Sequence, residues 1–295
     1  MLEAGRGNGV SRDVYASFWV EILDSYFIGE NERVPFVRHD LFVTEWEAIG
    51  KILFKGYIDV HYFPMLLSKS FMSYVLFGEN EDDHLLSSFL NYIAEDHRKL
   101  VNEAISTDDE SFFQSDDFFE FLDEFKCRTL ITKSNVRSTI IELARQELIQ
   151  KPHLMAACWK THIAAIVSFS PFKDWTSLNA FYADMVPTTK KVIALIDAVT
   201  NDDSEKDCLT FLKRYIRGLD SNMLKKLLRF LTGTDSITVE KISIIFIKQS
   251  SFERRPIAHT CGPSLELSST YSSFCELREE FSNILKENTW EMNIV

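Results

Sequence analysis

Apolar residues recur at three- and four-residue spacing from Phe42 onward, and this confines most of the chain to helices that each bury one face. Trp46, Ile49, Leu53 and Tyr57 share one such face, and Leu85, Leu86, Phe89, Leu90 and Ile93 share a second. Ile140, Leu143, Ala144 and Leu148 form a third, with Asn135 placed to cap its helix. Residues 106–124 are acidic and interleaved with Phe112, Phe113, Phe118 and Phe119, which predicts a solvated loop leading into an amphipathic helix. The period breaks over 184–189, where Pro187 restricts the residue before it, and a linker is expected there. Beyond it, helices are expected over 192–199, 208–217, 222–231 and 273–286. One run differs: Ile242-Ser243-Ile244-Ile245-Phe246-Ile247 is rich in β-branched residues and predicts a buried strand. The expected fold class is therefore α+β, a largely helical unit over 1–185 followed by a smaller mixed unit over 186–295.

Composition narrows the function classes. With 295 residues, 45% of them hydrophobic, the chain can bury a sizeable core in two units, and its 24 phenylalanines make that core aromatic-rich. A net charge of −12 repels phosphate backbones and anionic lipid, so no nucleic-acid partner is expected. No apolar stretch follows a basic segment at the start and no apolar run has the length of a bilayer span, so no membrane role is expected either. The five cysteines, at 127, 158, 208, 261 and 275, form no Cys-x-x-Cys pair and are odd in number. Reduced thiols in a cytoplasmic or nuclear protein are the expectation.

Few residues are arranged for chemistry. No Gly-x-Ser-x-Gly elbow and no His-Glu-x-x-His helix occurs, which leaves hydrolase chemistry unsupported. Gly5, Gly7 and Gly9 are not followed by Gly-Lys-Ser/Thr and read as a turn, not a phosphate loop. His153, Cys158 and His162 do not have a zinc-ligand spacing, so neither metal nor organic cofactor is expected. Cys158 and Cys208 fall in helical patterns as small apolar residues, and Cys127 and Cys275 have no local partner. That leaves Cys261, preceded by Pro256-Ile257-Ala258-His259-Thr260 and followed by Leu265-Glu266-Leu267 and Tyr271. A free thiol, with a pKa of about 8.5, is a few per cent thiolate at neutral pH and already a usable nucleophile. In an extended stretch His259 would share a face with Cys261 and either assist its deprotonation or hydrogen-bond the loop.

The run Ala258-His259-Thr260-Cys261, with the leucine-rich segment and tyrosine after it, resembles the catalytic loop of the HECT family of ubiquitin ligases. Four further segments resemble the family in order. Gly9-Val10-Ser11-Arg12-Asp13 with Phe18-Trp19 is similar to its opening turn and first helix. Ile49-Gly50-Lys51-Ile52-Leu53 with Gly56, Ile58-Asp59-Val60 and Phe63-Pro64 is similar to its central large-lobe helix and the turn after it. Leu130-Ile131-Thr132-Lys133-Ser134-Asn135 resembles its strand and cap before a long helix, and Leu227-Leu228-Arg229-Phe230-Leu231-Thr232-Gly233-Thr234 its small-lobe signature. The chain departs from the pattern after the cysteine, where Gly262 and Pro263 replace the usual aromatic and asparagine. The Pro-x-x-Gly-Phe turn is missing between Thr234 and Lys241, and the match between Phe77 and Leu130 is short.

The resemblance implies a bilobal HECT fold, with a mainly helical large lobe over 1–185 and a smaller mixed lobe over 186–295 joined by a short hinge at 184–189. It implies that Cys261, with His259 and Thr260 beside it, carries ubiquitin as a thioester and passes it to a lysine. The implied partners are a ubiquitin-loaded E2 enzyme, ubiquitin and a protein substrate. The E2-binding subdomain should lie within about 71–125, where Leu86, Phe89, Leu90 and Tyr92 are nominated either for the E2 groove or for the subdomain core. Met292, four places from the end, with Trp290 nearby, would position the lobes. The alternative is a degenerate HECT-fold module that binds E2 or ubiquitin without transfer: Gly262-Pro263 and the missing turn suit it, and the retained His259-Thr260-Cys261 opposes it.

Overall fold

The structure, a computed structural model, describes residues 8–38, 40–78, 80–169, 173–249 and 254–286. It opens with α1 (Asn8–Tyr26), followed by the short antiparallel pair β1 (Phe27–Ile28) and β2 (Val34–Pro35). Helix α2 (Val43–Val60) buries Trp46, Ile49, Leu53 and Tyr57, the face its spacing predicts. Helix α3 (Lys69–Phe77) starts where the Ser68 side chain accepts the Phe71 amide, and it stops at Gly78, whose φ of 85° is costly for a residue with a Cβ. Then come α4 (Asp82–Tyr92), α5 (Glu95–Ser106), a 3-10 helix (Glu110–Gln114), α6 (Asp116–Glu124) and α7 (Val136–Arg145). A π-helical turn (Gln146–Gln150) leads into α8 (His153–Ile163), α9 (Ile166–Phe169) and α10 (Trp175–Met185). The remainder is α11 (Thr189–Leu195), β3 (Ile196–Asp197), α12 (Asp203–Arg217), α13 (Ser221–Thr232), β4 (Ile242–Ile247), β5 (Ile257–His259), β6 (Ser264–Ser268) and α14 (Phe274–Lys286).

These elements form two compact units. The helical unit takes the described residues of Val20–Lys55 and Leu66–Phe181. Its core is aromatic: Trp159 lies edge-on to Phe71, with ring centroids 5.5 Å apart, and a Cβ on Gly50 would come within 3.0 Å of the indole. The acidic, phenylalanine-rich segment forms the expected amphipathic helix, α6, with Phe118, Phe121 and Leu122 buried and Phe119 exposed. Asn135 occupies the cap position of α7 but works differently from a side-chain cap. Its Oδ1 accepts the Thr132 amide at 2.8 Å and its Nδ2 donates to the Leu130 carbonyl at 2.9 Å, so it closes the preceding loop instead. The strand implied within 130–135 is not formed: these residues have no strand partner among the described residues, and Leu130 is exposed.

The second unit takes the described residues of Met1–Trp19, Gly56–Met65 and Tyr182–Val295. Residues 8–19 and 56–65, which the sequence reading placed in the 1–185 segment, thus pack in the unit that holds Cys261. Its sheet has the order β3-β4-β6-β5, with β3, β4 and β6 parallel and β5 antiparallel to β6. Leu265 and Leu267 of β6 and Ile242 and Ile244 of β4 pack with Leu212, Leu227, Leu231 and Phe281 in one core. The predicted strand is buried on one face only, since Ile245 is 46% exposed. The helix expected over 192–199 ends at Leu195, because Ile196 and Asp197 pair instead with Ile242 and Ser243. Helix α13 matches its leucine spacing closely, capped by the Asp220 side chain at Met223 N and ended by Gly233 at φ 85°.

Candidate active site

Cys261 lies in the turn at 260–263 that joins β5 to β6, and its side chain is exposed. The antiparallel pairing His259↔Ser264 closes the base of that turn, and Leu265 and Leu267 anchor β6 in the core below it. Because the chain turns directly after His259, His259 and Cys261 are not on one extended face as the spacing predicts. His259 Nε2 lies 2.9 Å from Glu266 Oε1, a diagonal pair across the hairpin, which is the kind of contact that the loop-holding alternative foresaw. Tyr271, after β6, is buried and donates its hydroxyl to Glu280 Oε2 at 3.0 Å. Arg254 covers its ring at 4.3 Å.

The other side of the turn is held by α1. Arg12, 5% exposed, donates from Nε to the Thr232 carbonyl at 2.7 Å and from Nη2 to the Thr260 carbonyl. Burial lowers the pKa of this guanidinium, and the charge of Cys261 acts in the opposite direction. Gly9, one turn earlier on α1, approaches so closely that a Cβ there would lie 2.6 Å from the Cys261 amide nitrogen. Next to Arg12 in the chain, Asp13 Oδ1 pairs with Arg229 Nη2 of α13 at 3.1 Å, and the same nitrogen donates to Ser17 Oγ at 2.7 Å.

The remaining cysteines are placed differently. Cys158 and Cys208 are buried, and burial pushes both thiols up, away from the thiolate form. Cys127 is half-buried; Cys275 is exposed, but on helix α14. Among the nominated E2-docking residues, Phe89 has no exposed surface, Leu86 and Tyr92 are buried and Leu90 is half-buried. His153 Nδ1 is 3.1 Å from the Tyr74 hydroxyl. Trp290 and Met292, and Gly5 and Gly7, lie outside the described residues. Sequence reasoning noted Arg12, Arg229 and Glu266 only as parts of motifs and assigned them no role. The usable signal was their polarity within otherwise apolar or glycine-bearing stretches.

A family model described as HECT-domain (ubiquitin-transferase) matches residues 18–293. A comparison with curated proteins gives no match.

Proposed function

Since the chain belongs to the HECT-domain family of ubiquitin transferases, we propose that it is a ligase in which Cys261 takes ubiquitin from an E2 thioester and passes it to a substrate lysine. The observation that carries this reading is the exposure of Cys261 at the tip of a hairpin whose base is locked by strand pairing and core leucines. An electrophile as large as an E2-bound ubiquitin needs such a protruding nucleophile. Catalysis then rests on placing two thioester partners, more than on a strong acid or base.

The chemistry balances without a cofactor. The Cys261 thiol loses its proton to solvent, and the sulfur attacks the carbonyl carbon of the ubiquitin C-terminal glycine. A carbon–sulfur bond to Cys261 forms as the one to the E2 cysteine breaks; that cysteine leaves as thiolate and is reprotonated. A substrate lysine, as the free amine, next attacks the same carbonyl. The amide bond forms, the Cys261 sulfur leaves, and the ammonium proton is lost to solvent. In this reading the segment at 184–189 is the hinge on which the Cys261-bearing part of the chain moves between the two steps. The free thiols suit a reducing compartment, the cytoplasm or the nucleus.

Incubation with E1, a panel of E2 enzymes and ubiquitin, followed by a non-reducing gel, tests the proposal. Cys261→Ala should abolish a reductant-sensitive ubiquitin adduct that Cys158→Ala and Cys275→Ala retain. An adduct surviving in Cys261→Ala would refute the assignment. A binding role without transfer is favoured by one observation, the engagement of His259 with Glu266, which leaves Cys261 without a neighbouring base hydrogen-bonded to it among the described residues. That reading requires E2 or ubiquitin capture by the wild-type protein with no adduct from any E2.

A further inference from the structure

We propose that Arg12 is a positioning residue for Cys261, holding the turn at Thr260 in register with the end of α13. The inference rests on the reading of Cys261 as the ubiquitin acceptor, and it concerns a residue outside the 18–293 segment that the family model matches.

A guanidinium is planar, and its donors sit in a fixed fork. Here Nε reaches the Thr232 carbonyl and Nη2 the Thr260 carbonyl, so one rigid group sets the spacing between the C-terminus of α13 and the residue before Cys261. Gly9 on the same helix lets the backbone come close enough for this, because any side chain there would collide with Thr260 and Cys261. Gly233, left-handed at φ 85°, does the same on the α13 side, where a Cβ would meet the Gly9 carbonyl at 2.8 Å. The Asp13–Arg229 ion pair ties α1 to α13 beside it.

Arg12 is a nearly buried cation whose hydrogen-bond acceptors are two neutral carbonyls; among the described residues no carboxylate pairs with it. Such a charge is costly to bury unless something negative compensates it. Cys261 is the group whose charge acts on it.

Two measurements separate this role from simple structural support. The first uses the protein alone: the rate of Cys261 alkylation by iodoacetamide, read by peptide mass spectrometry on samples checked for folding by circular dichroism. Arg12→Gln should alter the alkylation rate several-fold, because the turn that presents the sulfur is no longer held at the Thr260 carbonyl. The second is single-turnover loading from E2~ubiquitin. Arg12→Lys loses the fork, so its maximal loading rate should fall about tenfold while the half-saturating E2~ubiquitin concentration is unchanged. Asp13→Asn, which releases only the neighbouring tie, should alkylate as wild type does. Wild-type alkylation in folded Arg12→Gln would overturn the proposal. If that variant does not fold, an unchanged maximal loading rate in Arg12→Lys overturns it. A wild-type protein that never loads ubiquitin would defeat the reading of Cys261, and the alkylation series would still decide the role of Arg12.

Discussion

Phe89 lies 5.4 Å from the Phe125 ring and 6.1 Å from that of Tyr92, with no surface left exposed. Of its two foreseen roles, the geometry supports the subdomain core. Phe89→Ala should therefore cost about 3–5 kcal/mol of folding stability, measured by denaturant unfolding, while the folded fraction binds E2 as before. A loss of E2 affinity at unchanged stability would return it to the docking surface. Gly262 is the opposite case: a Cβ there meets nothing within 4 Å. Placing the family's aromatic at this position, as Gly262→Phe, should change stability by less than about 0.5 kcal/mol in the same measurement. The glycine is thus a departure that packing does not require. Glu32 is 4% exposed, and its carboxylate accepts the Lys69 amide at 2.9 Å. Burial raises its pKa above the ordinary 4.5, and hydrogen bonds from Ser88, Lys69 and Ser68 only partly oppose this. The folded protein therefore holds this proton more tightly than the unfolded chain. The associated stability is complete below the unfolded value of 4.5 and is lost as pH rises through the folded value. Glu32→Gln should flatten the fall in stability above pH 4.5 in urea titrations at several pH values; an unaltered slope would contradict this.

At the scale of elements, the segment between α10 and α11 is better secured than its sequence suggests. Thr188 accepts the Lys191 amide as the cap of α11. Lys191 Nζ in turn donates to the carbonyls of Ala183, Asp184 and Val186, the last two at 3.2 and 3.3 Å. The Met185 carbonyl accepts the Ile237 amide at 2.9 Å. Thr188→Ala removes only the cap and should cost about 1 kcal/mol. Thr188→Pro also stiffens the backbone, so a working hinge requires it to slow ubiquitin loading beyond the loss seen in Thr188→Ala. Equal loading rates in the two variants would argue against hinge motion there. Helices such as α2 and α13 were readable because a 3.6-residue period leaves its mark on every buried position. The short strand β3 was not: two residues carry no period, and only pairing with Ile242 and Ser243 makes them a strand.

The whole molecule divides its chain in a way that no linear boundary describes. Periodicity, the β-branched run and the ordered motifs were enough to establish an α+β chain of the HECT-domain family, because each depends on residues close together in sequence. They also singled out Cys261, since the His259-Thr260-Cys261 run and the leucine-rich segment after it are local in sequence, whereas the turn that exposes the thiol is a feature of the fold. What surrounds that cysteine was decided by tertiary structure. Arg12 and Thr260 are 248 positions apart and Arg229 and Asp13 are 216 apart, so no local pattern could pair them. The burial of Phe89 likewise depends on Phe125 arriving from just past the end of α6. A helical period shows that a face is covered, but its partner is set by packing between distant segments, where shape and hydrogen-bond geometry act together.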